Sequence, residues 1–348
     1  MAHEKGHLLA IQSHVVYGYV GNRAATFPSQ LLGWDVDVVN TVQFSNHTGY
    51  GRWGGLRFDA THLNDIFENM ERNGLLHPAR LLTGYTPSPE ALDVVERWIE
   101  KMRAQTPHLV YLLDPVMGDM DRGMYVNPDV LPIYRRMLPF ATIICPNQFE
   151  AQALTGIDIG SRQKLHDALT MLHVHYRVPN VLITSLSMPD DELRALGASP
   201  VMPDGAPAML LIGCSWEDGE MHAWMLQFPS LGEYFSGVGD LFSALTLALF
   251  EPRVPDTPGQ MPPAGVENSP IAHTAALAVA SLQSILLRTC DAMVKQGQAA
   301  GVDPFQPSHL VPVDERVNLM RLRELRIVQS AQDILHPTVH YWPQRVSL

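Results

Sequence analysis

The chain has 348 residues and a mass of 38.7 kDa, enough for one large domain or two small ones, with a core that needs no disulfide or metal staples. Hydrophobic residues make up 46% and charged residues 17%, a balance that excludes a disordered chain. With 24 Lys and Arg against 36 Asp and Glu, the net charge of −12 excludes a general nucleic-acid binder, which needs a basic face to displace phosphate counterions. An anionic substrate would have to be held by backbone dipoles and metal rather than by bulk charge.

Three cysteines, Cys145, Cys214 and Cys290, lie far apart with no CxxC pair. The odd number leaves at least one free in a monomer, so a reducing compartment is expected. The apolar run near the start, LLAI before Gln12 and Ser13, is too short for a signal peptide and reads as a strand. The uncharged stretch from Asn268 to Leu287 carries His273, Thr274, Ser281, Gln283 and Ser284, which fits a buried helix better than a membrane span. A soluble, cytoplasmic protein is expected, with no membrane partner and with nuclear entry left open.

In chain order, LLAIQSH (8–14) is a strand and GNRAATFPSQLLG (21–33) has helical character. DVDVVNTVQF (35–44) is β-branched and alternating, a second strand. Leu63, Ile66, Phe67 and Met70 recur at helical spacing between Asp59 and Asn73, closed by Gly74. RLLTGY (80–85) is a strand, and Ser88-Pro89 supplies an N-cap and first-turn proline for a helix through Ala104. LVYLLDPV (109–116) is an apolar strand, PDVLPIYRRML a helix and ATIICPN (141–147) a strand. QFEAQALTG and SRQKLHDALTMLHVHY follow as helices, then NVLITSLS (180–187) as a strand.

Strand–helix alternation at this spacing predicts a parallel sheet covered on both faces, with ligands at the carboxyl ends of its strands. Polar residues collect there: Ser13, Phe44 to Thr48, Tyr85, Asp114, Asn147, Thr184 and Ser185. Turns are polar in any case, so the set argues more than any one member. Beyond Ser187 the stretch 188–207 reads as a solvated loop. AMLLIGCSW and EMHAWMLQF form a hairpin around Asp218-Gly219. A Pro-rich stretch follows at 251–270, then apolar helices over 271–296 and a charged helix near 314–326. No internal repeat is present.

Gly237-Val238-Gly239-Asp240 precedes ten uncharged residues, a buried helix that starts at or just before Asp240. A helix N-terminus offers unpaired N–H groups and a partial positive charge, a ready anion site, and the two glycines let the backbone approach a phosphate closely. An aspartate at that point could take the proton of an attacking alcohol or could merely cap the helix. The P-loop pattern GxxxxGK[ST] is absent, and no GxGxxG opens a helix after the first strand. Asp114-Pro115-Val116-Met117-Gly118-Asp119 sets two acids around a turn, and Asn147-Gln148-Phe149-Glu150 an amide and an acid. Such oxygen donors suit Mg²⁺ with waters and phosphates, or belong to an exposed acidic loop and an ordinary helix start.

The segments IQSHVVYGYVGNRAATFPSQLLG, VNTVQFSNHTGYG, LLTGY, LVYLLDPVMGD, CPNQFEAQALTG, VLITS, SGVGDLFSA and RELRIVQSAQDI resemble the pyridoxal kinases of the ribokinase-like superfamily. The resemblance covers nearly the whole chain apart from the 188–207 and 251–270 loops; GxGD is generic to the superfamily, whereas QFSNHTGYG points to vitamin B6. It implies a three-layer α/β/α sandwich over residues 1–348, a single domain whose mostly parallel sheet carries helices on both faces and an antiparallel edge. It implies ATP-dependent phosphorylation of the 5′-hydroxyl of pyridoxal, pyridoxine and pyridoxamine, and a homodimer.

By the same resemblance, Asp240 is the base, and Gly237, Val238 and Gly239 line the anion hole. Ser13 and Thr48 bond the pyridine substituents, with Val42 and Phe44 against the ring and Val20, His47 and Tyr85 nearby. Asp114, Asp119, Asn147, Glu150, Thr184 and Ser185 face the nucleotide phosphates, and Tyr125 lies in a loop that folds over the substrates to exclude water. Asp119 and Glu150 are implied for Mg²⁺, directly or through water, and Asp114, Cys145 and Thr184 for K⁺ or Na⁺. Two positions depart from the pattern of many relatives, which have threonine at Val238 and Cys145; sulfur is a poor ligand for a hard monovalent cation. A hydroxymethylpyrimidine kinase of the same fold and a non-catalytic pyridoxal-phosphate binding protein are the alternatives.

Overall fold

A computed structural model of the chain describes residues 5–232, 235–252, 266 and 268–348, so most of the Pro-rich 251–270 stretch lies outside the described residues. The strands are β1 (His7–Val15), β2 (Asp35–Phe44), β3 (Gly55–Arg57), β4 (Arg80–Thr83), β5 (Val110–Leu113), β6 (Gly118–Asp119), β7 (Gly123–Met124), β8 (Ile143–Ile144), β9 (Asn180–Ile183), β10 (Ala208–Glu217), β11 (Glu220–Pro229) and β12 (Gln344–Arg345). All but β6 and β7 form one sheet, in the order β12-β11-β10-β9-β8-β5-β4-β1-β2-β3. The six strands from β9 to β2 run parallel. Antiparallel strands close both edges, β10 to β12 at one and β3 at the other, where the resemblance implied a single antiparallel edge. β6 and β7 make a separate short hairpin.

Alternation along each strand divides the apolar residues between two cores. Leu9, Ile11, Leu81, Tyr111, Leu113, Ile144, Val181 and Ile183 face one; Leu8, Ala10, Leu82, Val110, Leu112, Ile143 and Leu182 face the other. The first core is roofed by α2 (Ala60–Arg72), α3 (Pro89–Gln105), α4 (Val130–Met137), α5 (Gln148–Thr155) and α6 (Arg162–Thr170). A π-helical turn, Met171–His175, extends α6. The Asp59 and Ser88 side chains cap α2 and α3, as their positions before apolar periodic runs predict. α1 (Asn22–Leu31), α8 (Val238–Leu249) and α9 (Pro270–Ala300) cover the second core.

Two expectations change. The 188–207 stretch contains α7 (Asp190–Ala195), whose first turn holds Asp190, Asp191 and Glu192, acids that suit the positive end of a helix. Met188, Leu196 and Ala198 are buried in the first core, so this stretch is only partly a solvated loop. The apolar helices expected over 271–296 are one continuous helix, α9, of 31 residues. It is long and apolar enough to cross a membrane by length and composition, but 78% of its most apolar window is buried, as a core helix requires. The charged helix is α10 (Val313–Leu322), and α11 (Ala331–Leu335) follows it.

Candidate active site

The carboxyl ends of β1, β2, β4, β5, β8 and β9 open on the same end of the sheet, and the start of α8 meets them there. β1 carries a register shift between Gln12 and Ser13, which pairs Ser13 with Val42 and leaves Thr41 unpaired. Such a bulge re-aims side chains at a strand end. The irregular backbone is tied down by Asn22, whose amide donates to the carbonyls of Gln12 and Val39, and by Thr41 Oγ1, which donates to Tyr85 O at 2.7 Å. Gly21 starts α1 with φ 51, and a Cβ there would lie 2.4 Å from Ser13 Oγ, so the residue opposite Ser13 has to be glycine.

Beside Ser13, Val42 and Phe44 pack with Val15 in a small apolar cluster separate from both cores, and Val20 and Tyr85 join its margin. Four residues expected to touch an aromatic ring thus form one surface. Trp53 also lies against Phe44, with ring centroids 4.6 Å apart, and the Arg57 guanidinium stands over both rings. Neither was anticipated; the only sequence signal is an aromatic and a cation in a glycine-rich turn. His47 is buried and Thr48 is exposed at the start of a 3₁₀ turn, Thr48–Tyr50.

α8 begins at Gly237, in the left-handed conformation with φ 85, and no side chain caps its N-terminus. A Cβ on Gly237 would collide with Tyr19 O at 1.9 Å, whereas one on Gly239 would meet nothing within 4 Å. The first turn is therefore pressed against the β1–α1 connection on one side and open on the other. Asp240 occupies the third helical position and is half-buried. Loss of hydration pushes its carboxyl above the ordinary aspartate range, and the Gly21 N–H opposes that shift. One turn on, Ser243 Oγ donates to Asp114 Oδ2 at 2.8 Å. Asp114 is buried, and its carboxyl is pushed well up by burial, by Glu150 and by Asp240.

At the end of β8, Asn147 and Glu150 form a reciprocal cap on α5: Asn147 Oδ1 accepts from Glu150 N, and Glu150 Oε2 from Asn147 N, each at 2.9 Å. Glu150 Oε1 accepts from Met117 N at 2.9 Å and Asn147 Nδ2 donates to Gly118 O at 2.7 Å, which docks the β6–β7 hairpin on the cap. Burial raises Glu150 to about 7 against these hydrogen bonds, and Asp119 adds to the rise. Asp119 is half-buried and accepts from Arg122 N. Asp114, Asp119, Glu150 and Asp240 therefore crowd one locality. Thr184 N bonds to Pro146 O at 3.0 Å, which sets it beside buried Cys145, whose thiol burial pushes up. Ser185 is half-buried in the same strand end, and Tyr125, just past β7, is exposed.

An open sheet with an uncapped glycine-rich helix start above its carboxyl edge, a half-buried acid in the first turn and further carboxylates opposite defines a small-molecule kinase of ribokinase-like architecture. Residues 75–197 match the family model described as phosphomethylpyrimidine kinase. Across the whole length, the chain is 35% identical to pyridoxal kinase of Arabidopsis thaliana, covering 99% of this chain and 96% of that one, and 38% identical to pyridoxal kinase of Ovis aries, covering 97% of each. Among solved structures it resembles pyridoxal kinase from Leishmania donovani in complex with ADP and pyridoxamine, with a TM-score of 0.76 and 26% identity over 98% of this chain and 99% of that one. The chain belongs to the pyridoxal kinase family.

Proposed function

We propose that this chain transfers the γ-phosphoryl group of ATP to the 5′-hydroxyl of pyridoxal, pyridoxine and pyridoxamine, with Asp240 as the general base. The observation that carries this reading is the α8 N-terminus: three residues of unpaired N–H groups that no side chain caps, with a half-buried carboxyl in the same turn. Phosphoryl transfer demands positioning and charge neutralisation more than covalent help. Helix-end N–H groups supply part of both. Burial keeps Asp240 more basic than a free aspartate, which suits proton removal from an alcohol. Ser13, Val20, Val42, Phe44, His47, Thr48 and Tyr85 would hold the pyridine ring between a polar edge and the small apolar cluster. The Leishmania donovani relative that contains ADP and pyridoxamine supports both halves of the assignment.

Among the described residues no group of three or more His, Cys, Asp or Glu converges as a ready-made metal cage. Mg²⁺ does not ask for one, since it keeps waters and uses one or two carboxylates with substrate phosphates. The crowded acids fit that demand. Asp119 would hold the ion directly and Glu150 through water, because both Glu150 oxygens already accept main-chain N–H groups. The ion would neutralise phosphate charge that this acidic site cannot. For K⁺ or Na⁺, Asp114 and Thr184 offer oxygens, but the Cys145 thiol does not suit so hard a cation. We therefore expect only weak monovalent activation. No disulfide joins the three cysteines, which supports a cytoplasmic setting, and we keep the homodimer as part of the proposal.

The test is direct. Purified protein with ATP, Mg²⁺, K⁺ and pyridoxal should form pyridoxal phosphate, and Asp240→Asn should not, while still binding pyridoxal. Product from the mutant at the parental rate would remove Asp240 from the role of base. The match to the phosphomethylpyrimidine kinase model favours one second reading, a kinase for hydroxymethylpyrimidine. That match ends at residue 197 and starts at 75, so it omits Ser13, Val42, Phe44, His47 and Asp240. Faster turnover of the pyrimidine than of pyridoxal would decide for it.

A further inference from the structure

The segment after α10 carries Glu324, a carboxylate only 6% exposed that reaches back to the carboxyl edge of the sheet. Its Oε2 accepts from Tyr19 N at 3.0 Å. Its Oε1 accepts from the Tyr50 hydroxyl at 2.8 Å and lies 3.4 Å from His47 Nε2. The Tyr50 ring stands edge-on to His47, with centroids 4.7 Å apart. The other nitrogen of that imidazole, Nδ1, is 3.3 Å from Ser236 Oγ, and Ser236 is the residue before Gly237. On the opposite side, Tyr19 O is the atom against which Gly237 is pressed. Glu324 thus grips both flanks of the α8 N-terminus, one through a main-chain N–H and the other through His47 and Ser236.

The approach is built for a carboxylate. A Cβ on Gly18, at φ +90, would fall 2.2 Å from Glu324 Oε1, so only glycine leaves room for the group. A carboxylate is acceptor-only, and its two oxygens can take all three donors. With Glu324 Oε1 as acceptor for Nε2, the imidazole plane is set and Nδ1 is turned to the Ser236 hydroxyl. The hydroxyl beside the anion hole then has a fixed direction.

We propose that Glu324 is a positioning residue for phosphoryl transfer, holding the Gly18–Val20 turn and the His47–Ser236 pair so that the uncapped end of α8 keeps its geometry. This rests on the kinase reading above. It also gives the segment after α10 a part in the reaction.

The test is a double-mutant cycle in the full-length protein with Glu324→Gln and Ser236→Ala. The glutamine keeps shape and bulk but turns an N–H₂ toward one of the donors. Misplaced reacting groups cost on the order of 10- to 100-fold in rate, so Glu324→Gln should lower kcat by that much with KM for ATP nearly unchanged. Ser236→Ala should lower kcat by a few-fold, up to about tenfold, the worth of one hydrogen bond. The double variant should lie within about twofold of the weaker single, because the two act through one chain of contacts. Losses that multiply, or a folded Glu324→Gln whose kcat stays within about twofold of the parent, would overturn the proposal. Should Glu324→Gln not fold, Tyr50→Phe replaces it in the same cycle, with the same two outcomes. A parent protein with no turnover would strike the kinase reading instead, so the two failures are distinct.

Discussion

Two helices begin at the carboxyl edge of the sheet, and each has an acid at its third position: Glu150 in α5 and Asp240 in α8. They differ at the N-cap. Asn147 gives α5 a reciprocal cap in which its own side chains take up the free N–H groups. Gly237 gives α8 nothing, so its N–H groups remain for a ligand, and Asp240 faces Gly21 instead of turning back on its own helix. In the proposed reaction one backbone feature thus serves stability in α5 and chemistry in α8, and a single side chain at the cap separates the two uses.

The largest test of this contrast is the acid itself. General-base removal costs about 10²–10⁴-fold in rate, and Asp240→Asn should fall in that range while α8 keeps its fold. The pH profile sharpens it. The base must be deprotonated to act, and burial raises its pKa, so kcat/KM should decline as pH falls through a value above the ordinary aspartate range. An acid limb at the pKa of a free aspartate would show that another group takes the proton.

Next comes an attempt to close α8. Gly239→Ser adds a side chain where a Cβ meets nothing within 4 Å, so the fold should tolerate it, and leaving glycine in a helix stabilises by about 0.5–1 kcal/mol. The hydroxyl would occupy the space meant for the phosphoryl group. Loss of one such donor site costs about 10²–10³-fold, and kcat/KM for ATP should drop toward that range with Tm unchanged or higher. A variant that gains stability and keeps its activity would mean that the anion sits elsewhere.

Much of this frame is legible in the sequence, because strands and helices here follow local rules. β2 matches its alternating run residue for residue, and Ser88 and Asp59 cap the helices they precede. Asp114, Asp119, Glu150 and Asp240 stand out as acids at strand ends. The sequence alone does not distinguish their uses: N-x-x-E and G-x-x-D look alike until the cap geometry is known. Glu324, 274 residues from Tyr50, carries no local signal, since a charged residue in a tail is usually solvated. Ser243 is hidden for the same reason, as its partner Asp114 lies 129 residues away. The partly helical character of 188–207 was masked by its acids and prolines.

At the closed helix the expected effect is smaller and concerns stability. Glu150→Gln leaves one acceptor for two main-chain donors, Asn147 N and Met117 N, and turns an N–H₂ toward the other, which costs about 1 kcal/mol. Its pH dependence has a definite sign. Glu150 titrates near 4.5 in the unfolded chain and at about 7 when folded, so between those values the folded protein binds more protons, and its stability falls as pH rises. The variant cannot titrate there, so its deficit relative to the parent should be greatest near pH 4.5 and shrink toward pH 8 in denaturant melts. A deficit that grows with pH would show that the ionised carboxylate, not the acid, is the form the cap prefers.

The smallest effect concerns the first residue of α8. Val238 is partly buried against the second core, and its branched side chain has few rotamers. Val238→Thr exchanges one methyl for a hydroxyl at the helix end that remains open. If the hydroxyl takes the outward branch, it adds a donor to the anion hole without disturbing the packing. One hydrogen bond contributes about 0.5–1.5 kcal/mol, so KM for ATP should fall about two- to tenfold at constant kcat. The same change at α5 has no counterpart, because there the N–H groups are already taken. A rise in KM would mean that the methyl, not the hydroxyl, faces the phosphates, and that valine at this position shapes the hole by excluding water.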